Sequence, residues 1–344
     1  EHHQPVSTSS PRTVVPKEKI LAIKFKSLGD VVICTPALKA LKKSFPDSEI
    51  HVLVSSEATP ILRGIPWIKR VWGMDRSDGS INFGLIRQLR AEGFSRSVDF
   101  VGNDRGAITS FCVRAPQSLG FEIQRGPKWR RWCYSKTIEE LDPNRHEVVR
   151  DLHLLKGWDI PFPNDLAPKI YPEKSAIPSP ISPESVLIHC TTSQPKKEWP
   201  LEFLEQLHTM CNKHNIRHVF SAGPSEREQL LLANLANRID DLPRLPELKS
   251  LKEFIATADQ CRAFVSMDTS VLHIAAALGK PTIGIFGPTD SHRWGPLGTT
   301  NVALQGDHCP CSGHLCICEH SEPCIRGVSP QSVMDQLLKL PNDA

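Results

Sequence analysis

The sequence predicts an α/β protein of two doubly wound domains that face each other across a cleft, and three observations indicate this. The 344 residues are about twice a usual domain length. Short apolar runs suited to buried parallel strands alternate with amphipathic helical patterns, and the alternation restarts in the second half. A proline-rich stretch, residues 171–185, separates the two series and has the composition of a linker. Ligands in such folds bind beyond the carboxyl ends of the strands, so a site is expected in the cleft.

The first series runs from residue 19 to about residue 156. Thr35 followed by Pro36 indicates that the first helix begins or kinks there, and Leu38, Leu41 and Phe45 share one face of that helix. The predicted strands cover residues 19–25, 49–56, 70–74 and 97–101, and the predicted helices lie near 35–45, 81–91 and 145–156.

The second series begins at residue 186. Ser250 and Glu253 form a capping box that opens one of its helices, and Gly279 closes another. The predicted strands cover 186–189, 217–223, 263–267 and 281–287, and the predicted helices cover 199–214, a segment after 224–228, a segment from 250, 269–279 and 330–340.

The composition argues against a nucleic-acid-binding, membrane-spanning or secreted protein. The formal net charge of +3 is too small to argue for nucleic-acid binding. No run approaches the roughly 18 to 20 apolar residues of a membrane span, and the polar first residues lack a signal-peptide core, so we expect a cytoplasmic protein. The expected division is a flexible tail 1–18, a first domain 19–170, the linker 171–185, a second domain 186–326 with a Cys-rich loop 308–324, and a C-terminal helical segment 327–344.

A glycine and an acid stand where the first strand turns into a helix, in the loop KSLGDVV. Gly29 can take the tight turn after the strand. Asp30 either caps the helix or, because the loop opens onto the predicted cleft, acts as a general base.

Three loops of the second half also lie at carboxyl ends of predicted strands. The loop 191–200 carries hydroxyls and two lysines, which suit a phosphate clamp or an ordinary solvated loop. Asp268, Thr269 and Ser270 open a helix whose N-terminus can hold a diphosphate, or Asp268 simply caps it. His273 on that helix is more typical of a buried structural histidine. In the loop 284–296, Thr289 and Asp290 contact a ligand or cap the next turn.

Two further motifs could bind a metal or a charged partner. Five of the 11 cysteines cluster near the C-terminus, and with His308, His314 and His320 they offer enough ligands for a structural zinc or iron site. The alternative is a reduced, metal-free loop. The segment 125–132 interleaves basic residues with tryptophan, which suits a phosphate-bearing partner, a membrane surface or a solvated loop. The clustered cysteines are Cys309, Cys311, Cys316, Cys318 and Cys324.

Taken together, the motifs resemble glycosyltransferase family 9, which contains the ADP-heptose:lipopolysaccharide heptosyltransferases. The shared patterns lie at 27–38, 189–200, 268–273 and 286–290, and the match spans about residues 19–340. The resemblance implies a GT-B architecture with an acceptor-binding first domain, an ADP-sugar-binding second domain and a final helix that crosses back to the first domain. It also implies inverting, metal-independent transfer of heptose from ADP-L-glycero-D-manno-heptose to an inner-core lipopolysaccharide acceptor.

The same resemblance implies roles for individual residues. Asp30 matches the general base, and Lys197 matches a lysine that faces the donor diphosphate. Ser270 departs from a glycine that many members have, and Glu247 is a loose match for an acid on the adenosine ribose. The residues implied in substrate binding are Ser27, Gly29, Thr191, Thr192, Glu247, Asp268, Thr269, Ser270, His273 and Thr289.

Other functions stay open at the level of the sequence. Within the family the acceptor is a protein hydroxyl in some relatives, which are linked to a cysteine-bound iron. Two-domain nucleotide-sugar epimerases share the architecture. A non-catalytic metal-binding protein on the same scaffold is a further alternative, although such a protein need not retain Asp30, Lys197 and Asp268. The expected partners are therefore ADP-heptose, a lipopolysaccharide core or protein hydroxyl, and the inner membrane as a peripheral surface.

Overall fold

The computed structural model describes residues 17–75, 82–122, 126–142, 144–173, 180–307 and 323–340. Strands and helices alternate along both halves of this part of the chain. In the first half they are β1 (Lys19–Lys24), α1 (Leu28–Ile33), α2 (Thr35–Ser44), β2 (Glu49–Ser55), α3 (Thr59–Arg63), β3 (Ile68–Met74), α4 (Phe83–Ala91), β4 (Arg96–Asp99), α5 (Asp104–Val113), β5 (Gln117–Glu122), β6 (Lys136–Glu139) and α6 (Glu147–Leu154).

The second half repeats the alternation after a stretch without helices or strands in its described residues. Its elements are β7 (Val186–His189), α7 (Leu201–Lys213), β8 (His218–Ser221), α8 (Glu226–Ala236), α9 (Leu251–Ala258), β9 (Ala263–Met267), α10 (Ser270–Ala277), β10 (Thr282–Phe286), α11 (Ser291–Trp294), β11 (Val302–Gln305) and α12 (Pro330–Leu337). Short 3₁₀ segments among the described residues cover Ser56–Ala58, Lys128–Cys133, Leu155–Trp158, Pro195–Lys197 and Cys324–Gly327.

The strands form two parallel sheets, with the orders β3-β2-β1-β4-β5-β6 and β11-β10-β9-β7-β8. In each sheet the order reverses once, between β1 and β4 and between β9 and β7, as in doubly wound folds. Right-handed crossovers then place α1 to α3 on one face of the first sheet, and α4, α5 and the Lys128–Cys133 segment on the other. The predicted fold class is confirmed.

Alternating side chains of the central strands enter cores on both faces of each sheet. In β1, Ile20 and Ala22 join one apolar cluster, whereas Leu21 and Ile23 join the cluster beneath α4 and α5. All four are fully buried, which explains why the strand reads as a continuous apolar run.

The predicted break at Thr35 and Pro36 is present in altered form. The chain forms α1, turns at Cys34, and continues as α2 with the proline in its first turn. Thr35 is not the cap, because its Oγ1 donates to the Val32 carbonyl at 2.8 Å and accepts from the Lys169 amide at 3.1 Å. The break limits α1 to the six residues Leu28–Ile33.

The described residues of the final helix, α12, pack on α7, β10 and β11 of the second domain. Val333, Met334 and Leu337 are buried in the apolar cluster of that domain, which accounts for the placement. The crossing of the C-terminal segment to the first domain stays a prediction. The two domains contact each other where α1 packs against α10 and α3 packs against α9. Much of the predicted tail, linker and Cys-rich loop lies outside the described residues. Among the helices that are described, none has the length and apolarity needed to span a membrane.

Candidate active site

A cavity of ≈ 520 Å³ lies where the two domains meet, at the carboxyl ends of β1, β7, β9 and β10. The last three strands include the point where the order of the second sheet reverses, which is the position expected for a ligand. The described residues that line the cavity are Ser27, Gly29, Asp30, Asn144, Ser193, Gln194, Lys197, Asp268, Thr269, Ser270, His273, Pro288, Thr289, Asp290, Arg293 and Trp294.

Gly29 lets the N-termini of α1 and α10 approach each other. A Cβ atom at this position would lie 3.1 Å from His273 Cδ2 and 3.5 Å from Ser270 Cα. The absence of a side chain therefore lets Asp30 lie close to α10.

Asp30 does not cap α1. Ser27 is the N-cap, and its Oγ accepts from the Asp30 amide at 3.4 Å while donating to Asp30 Oδ2 at 2.6 Å. Asp30 Oδ1 lies 2.9 Å from Lys26 Nζ. Burial raises the pKa of the carboxyl, but Lys26, Lys24 and the Ser27 hydrogen bond together hold it below its ordinary value. Asp30 is therefore a buried, ionised carboxylate that lines the cavity.

A buried ion pair lies under Asp30. Lys24 is 2% exposed, and its Nζ donates to both carboxylate oxygens of Asp151 at 2.6 and 2.8 Å. Burial opposes the lysine's charge, but the Asp151 carboxylate outweighs it and raises the Lys24 pKa. The ammonium thus remains charged and contributes to keeping Asp30 ionised.

The second domain provides a cation and a helix N-terminus opposite Asp30. Lys197 Nζ lies 2.5 Å from Asp268 Oδ2, and both side chains are largely buried. The N-cap of α10 is Thr269, whose side chain makes no capping hydrogen bond, so Asp268 is not the cap. The first-turn N–H groups of α10 have no intrahelical partner and favour an anion near Ser270.

His273 is both a buried helix residue and a residue of the cavity wall, as the two interpretations of the sequence suggested. It is 6% exposed on a helix with an apolar core face, yet it lines the cavity. Burial lowers its pKa despite the nearby carboxylates of Asp268 and Asp30. A neutral imidazole that can donate or accept a hydrogen bond is thus available at the floor of the cavity.

Sequence reasoning missed a set of charges that links the domains. Arg293 Nε, from the second domain, donates to Glu147 Oε1 of α6 at 2.8 Å, and Glu147 Oε2 lies 3.8 Å from Lys26 Nζ. Lys26 also lies 5.6 Å from the centre of the Trp294 ring. Arg293 and Trp294 belong to the loop 284–296 that the sequence singled out, but the sequence offered no signal for their partner Glu147.

Three predicted binding residues are not among the described residues that line the cavity. Thr191 is fully buried, and its Oγ1 accepts from the Gly223 amide and donates to Glu228. Thr192 Oγ1 accepts from the Gln194 amide at 3.0 Å and so shapes the loop before Lys197. Glu247 is exposed on the loop between α8 and α9. Thr289 does line the cavity, whereas Asp290 also caps α11 through the His292 amide.

Most of the predicted metal site falls outside the described residues. Cys309, Cys311, Cys316 and Cys318 lie in that part of the chain. Cys324 is described, and it is buried beside β10 and β11 at 7% exposure. Among the described residues there is no group of three or more His, Cys, Asp or Glu side chains placed to hold a metal.

Comparison with known proteins bears on the whole chain. The family model of glycosyltransferase family 9 (heptosyltransferase) matches residues 83–321. Lipopolysaccharide heptosyltransferase 1 of Pseudomonas aeruginosa is 28% identical over 93% of this chain and 97% of its own. Lipopolysaccharide heptosyltransferase 3 of Escherichia coli is 25% identical over 80% of this chain and 83% of its own.

The likeness extends to solved structures. The E. coli heptosyltransferase WaaC with ADP has a TM-score of 0.75 and 19% identity, with 94% of this chain and 100% of that one covered. The same enzyme with ADP-2-deoxy-2-fluoro heptose gives a TM-score of 0.72 over 93% and 99% of the two chains, again at 19% identity. These likenesses show a shared two-domain fold.

Proposed function

The chain belongs to glycosyltransferase family 9, and we propose that this glycosyltransferase moves heptose from ADP-L-glycero-D-manno-heptose to an inner-core lipopolysaccharide hydroxyl with inversion at the anomeric carbon. The observation that carries the proposal is that Asp30 of one domain and Lys197 of the other face one cavity. The proposed base and the proposed leaving-group stabiliser would thus reach the sugar from different domains. The named lipopolysaccharide heptosyltransferases among the relatives support the choice of sugar and acceptor.

In the proposed step, Asp30 takes the proton from the acceptor hydroxyl. The acceptor oxygen forms the new bond to C1 of the sugar as the bond from C1 to the diphosphate oxygen breaks, and ADP leaves with that electron pair. Because its pKa lies below the ordinary value, Asp30 is ionised and ready at neutral pH, and its basicity would rise as substrate displaces Lys26 or Ser27.

The leaving diphosphate needs positive charge. Lys197 and the N-terminus of α10 would supply it, so the proposed chemistry does not call on a metal ion. As the diphosphate draws Lys197 away, Asp268 would accept hydrogen bonds from donor sugar hydroxyls, and Thr269, Ser270 and Thr289 would complete the donor site. A structural zinc or iron on the Cys-rich loop is a separate part of the proposal, and metal analysis of the purified protein tests it.

The first test is a thermal-shift titration with ADP-heptose, ADP-mannose, UDP-glucose and GDP-mannose. A ligand that binds only the folded state adds about 2.7 kcal/mol at one hundred times its Kd, which a melt resolves. Selective stabilisation by ADP sugars is expected, and no response to ADP-heptose would contradict the proposed donor.

The acceptor is tested by offering the enzyme ADP-heptose with either a heptose-free lipopolysaccharide core or a protein rich in exposed serine. We expect transfer to the core. Transfer to protein hydroxyls alone would overturn the proposed acceptor while leaving the donor assignment intact.

A further inference from the structure

Three exposed aromatic rings lie on neighbouring elements of the first domain. Phe83 of α4 is 79% exposed, Phe111 of α5 is 59% exposed, and Trp132 of the Lys128–Cys133 segment is 74% exposed. α5 packs against both α4 and that segment, and all three elements cover the same face of the first sheet. Burying a ring removes a large apolar area from water, so leaving three exposed on one layer indicates a partner surface.

The same layer is strongly basic. Residues 83–91, 104–114 and 128–133 contain seven basic residues and one acid, whereas the whole chain has a formal net charge of only +3. The single acid, Asp104, is paired with Arg130 at 2.7 Å. The basic residues are Arg87, Arg90, Arg105, Arg114, Lys128, Arg130 and Arg131.

Basic and aromatic side chains share the outward faces of these elements. On α4, the exposed Phe83, Arg87 and Arg90 follow a spacing of four and three residues, which is one stripe of a helix. In the 3₁₀ segment, Arg131 and Trp132 are both exposed. The inward side chains of α4 and α5 fill the apolar cluster under the sheet, so this layer has only its outer surface available.

We propose that the outer surface of α4, α5 and the Lys128–Cys133 segment, here named the basic–aromatic face, docks the protein onto an anionic lipid bilayer. Lysine and arginine are attracted to anionic headgroups, and Phe and Trp rings gain from the apolar layer just beneath them. A bilayer interface offers both within a few ångströms. A water-solvated polyanion offers charge without the apolar layer.

The position of the face fits such a role. Helices that connect parallel strands run antiparallel to them, so the N-termini of α4 and α5 lie at the carboxyl edge of the sheet, the edge that carries Asp30. Arg130 Nη1 donates to the Gly102 carbonyl at 3.1 Å, which holds the 3₁₀ segment over the start of α5 at that edge. If the acceptor is the lipid-anchored core proposed above, docking would bring the cleft to it. The docking itself does not depend on that function.

The test is co-sedimentation of the full chain with vesicles of phosphatidylglycerol and phosphatidylcholine in equal parts, compared with vesicles of pure phosphatidylcholine. We expect binding to the anionic vesicles only, weakening as salt is added. The double variants Phe83→Ser with Arg87→Glu, and Arg131→Glu with Trp132→Ser, should each weaken partitioning by at least about tenfold.

A matched control removes the same chemistry from the second domain. Leu230 is 60% exposed on α8, and Lys213 is exposed at the end of α7, so Leu230→Ser with Lys213→Glu should retain binding. Unchanged melting temperatures show that all variants are folded.

Several outcomes would overturn the proposal. The first is absence of binding to anionic vesicles, and the second is an equal loss of vesicle binding in the control variant. Binding to polyuridylate in place of vesicles would also overturn it and would assign the basic–aromatic face to nucleic acid. A wild-type dimer that the Arg131→Glu, Trp132→Ser variant converts to monomer, without vesicle binding, would assign it to a second copy. None of these measurements requires a donor or acceptor, so their failure is distinct from failure of the proposed transferase activity.

Discussion

Replacing Lys197 by Met tests the donor side of the site. The change removes the ammonium that lies 2.5 Å from Asp268 and leaves that carboxylate facing the position proposed for the donor diphosphate. Losing one preorganised charge contact to a leaving group costs about 2 to 4 kcal/mol of transition-state stabilisation. This corresponds to a fall in kcat/KM of roughly 30- to 900-fold. Met keeps the length of the side chain, so the loss reports charge more than packing.

The assay is release of ADP during heptose transfer, followed at several donor concentrations. Lys196→Met is the matched control. It removes an equal charge from the neighbouring residue, and Lys196 is not among the described residues that line the cavity. We expect the control to retain most of its kcat/KM, and Lys197→Arg to recover part of the loss. Equal kcat/KM for Lys197→Met and Lys196→Met would refute the role of the Lys197 ammonium.

Two further predictions concern the charges around Asp30. Lys26→Met removes the charge that contributes most to lowering the Asp30 pKa. The acid limb of the pH dependence of kcat/KM should therefore move to higher pH. An unmoved acid limb in the pH–rate profile would mean that ionisation of Asp30 does not cause that limb. The same lowered pKa means that Asp30 stabilises the fold above its unfolded pKa and that this contribution is lost as pH falls through the folded pKa. Lys24→Met leaves the buried Asp151 carboxylate without its closest cation and with Arg150 3.7 Å away, so urea unfolding should show a loss of about 3 kcal/mol. The double change with Asp151→Leu should partly restore that loss. A loss in the single variant below about 1 kcal/mol would show that the pair is well solvated or easily replaced.

The sequence predicted the elements whose side chains are buried on both sides. β1, β7, β9 and β10 read as apolar runs because both faces of their sheets are covered, and the polar loops after them are the loops that form the cavity. The loops that carry Asp30, Lys197 and Asp268 could therefore be placed at one cleft from the order of strands and loops, whereas Lys197 was distinguished from Lys196 only by the family resemblance.

Two of the four edge strands, β6 and β11, were missed for the opposite reason, whereas the edge strands β3 and β8 were predicted. β6 and β11 are four residues each and are only partly buried. Their position depends on neighbours that the local sequence does not encode.

Parts of the candidate site depend on contacts between residues that are far apart in the sequence. Arg293 and Glu147 are 146 positions apart in the chain, and no local pattern pairs them. Thr191 follows a strand as a phosphate-binding hydroxyl would, but the Gly223 amide and Glu228 carboxylate take its hydrogen bonds. In both cases tertiary contacts decided the role of the residue, and residue type alone could not.

The most direct test of the central claim compares wild type with Asp30→Asn in heptose transfer and in donor binding. The change keeps the size of the side chain and removes the base. General-base catalysis contributes about 100- to 10,000-fold, so kcat should fall within that range while the Kd for ADP-heptose stays within roughly twofold. Turnover of the Asp30→Asn variant within about tenfold of wild type would contradict the assignment of Asp30 as the base.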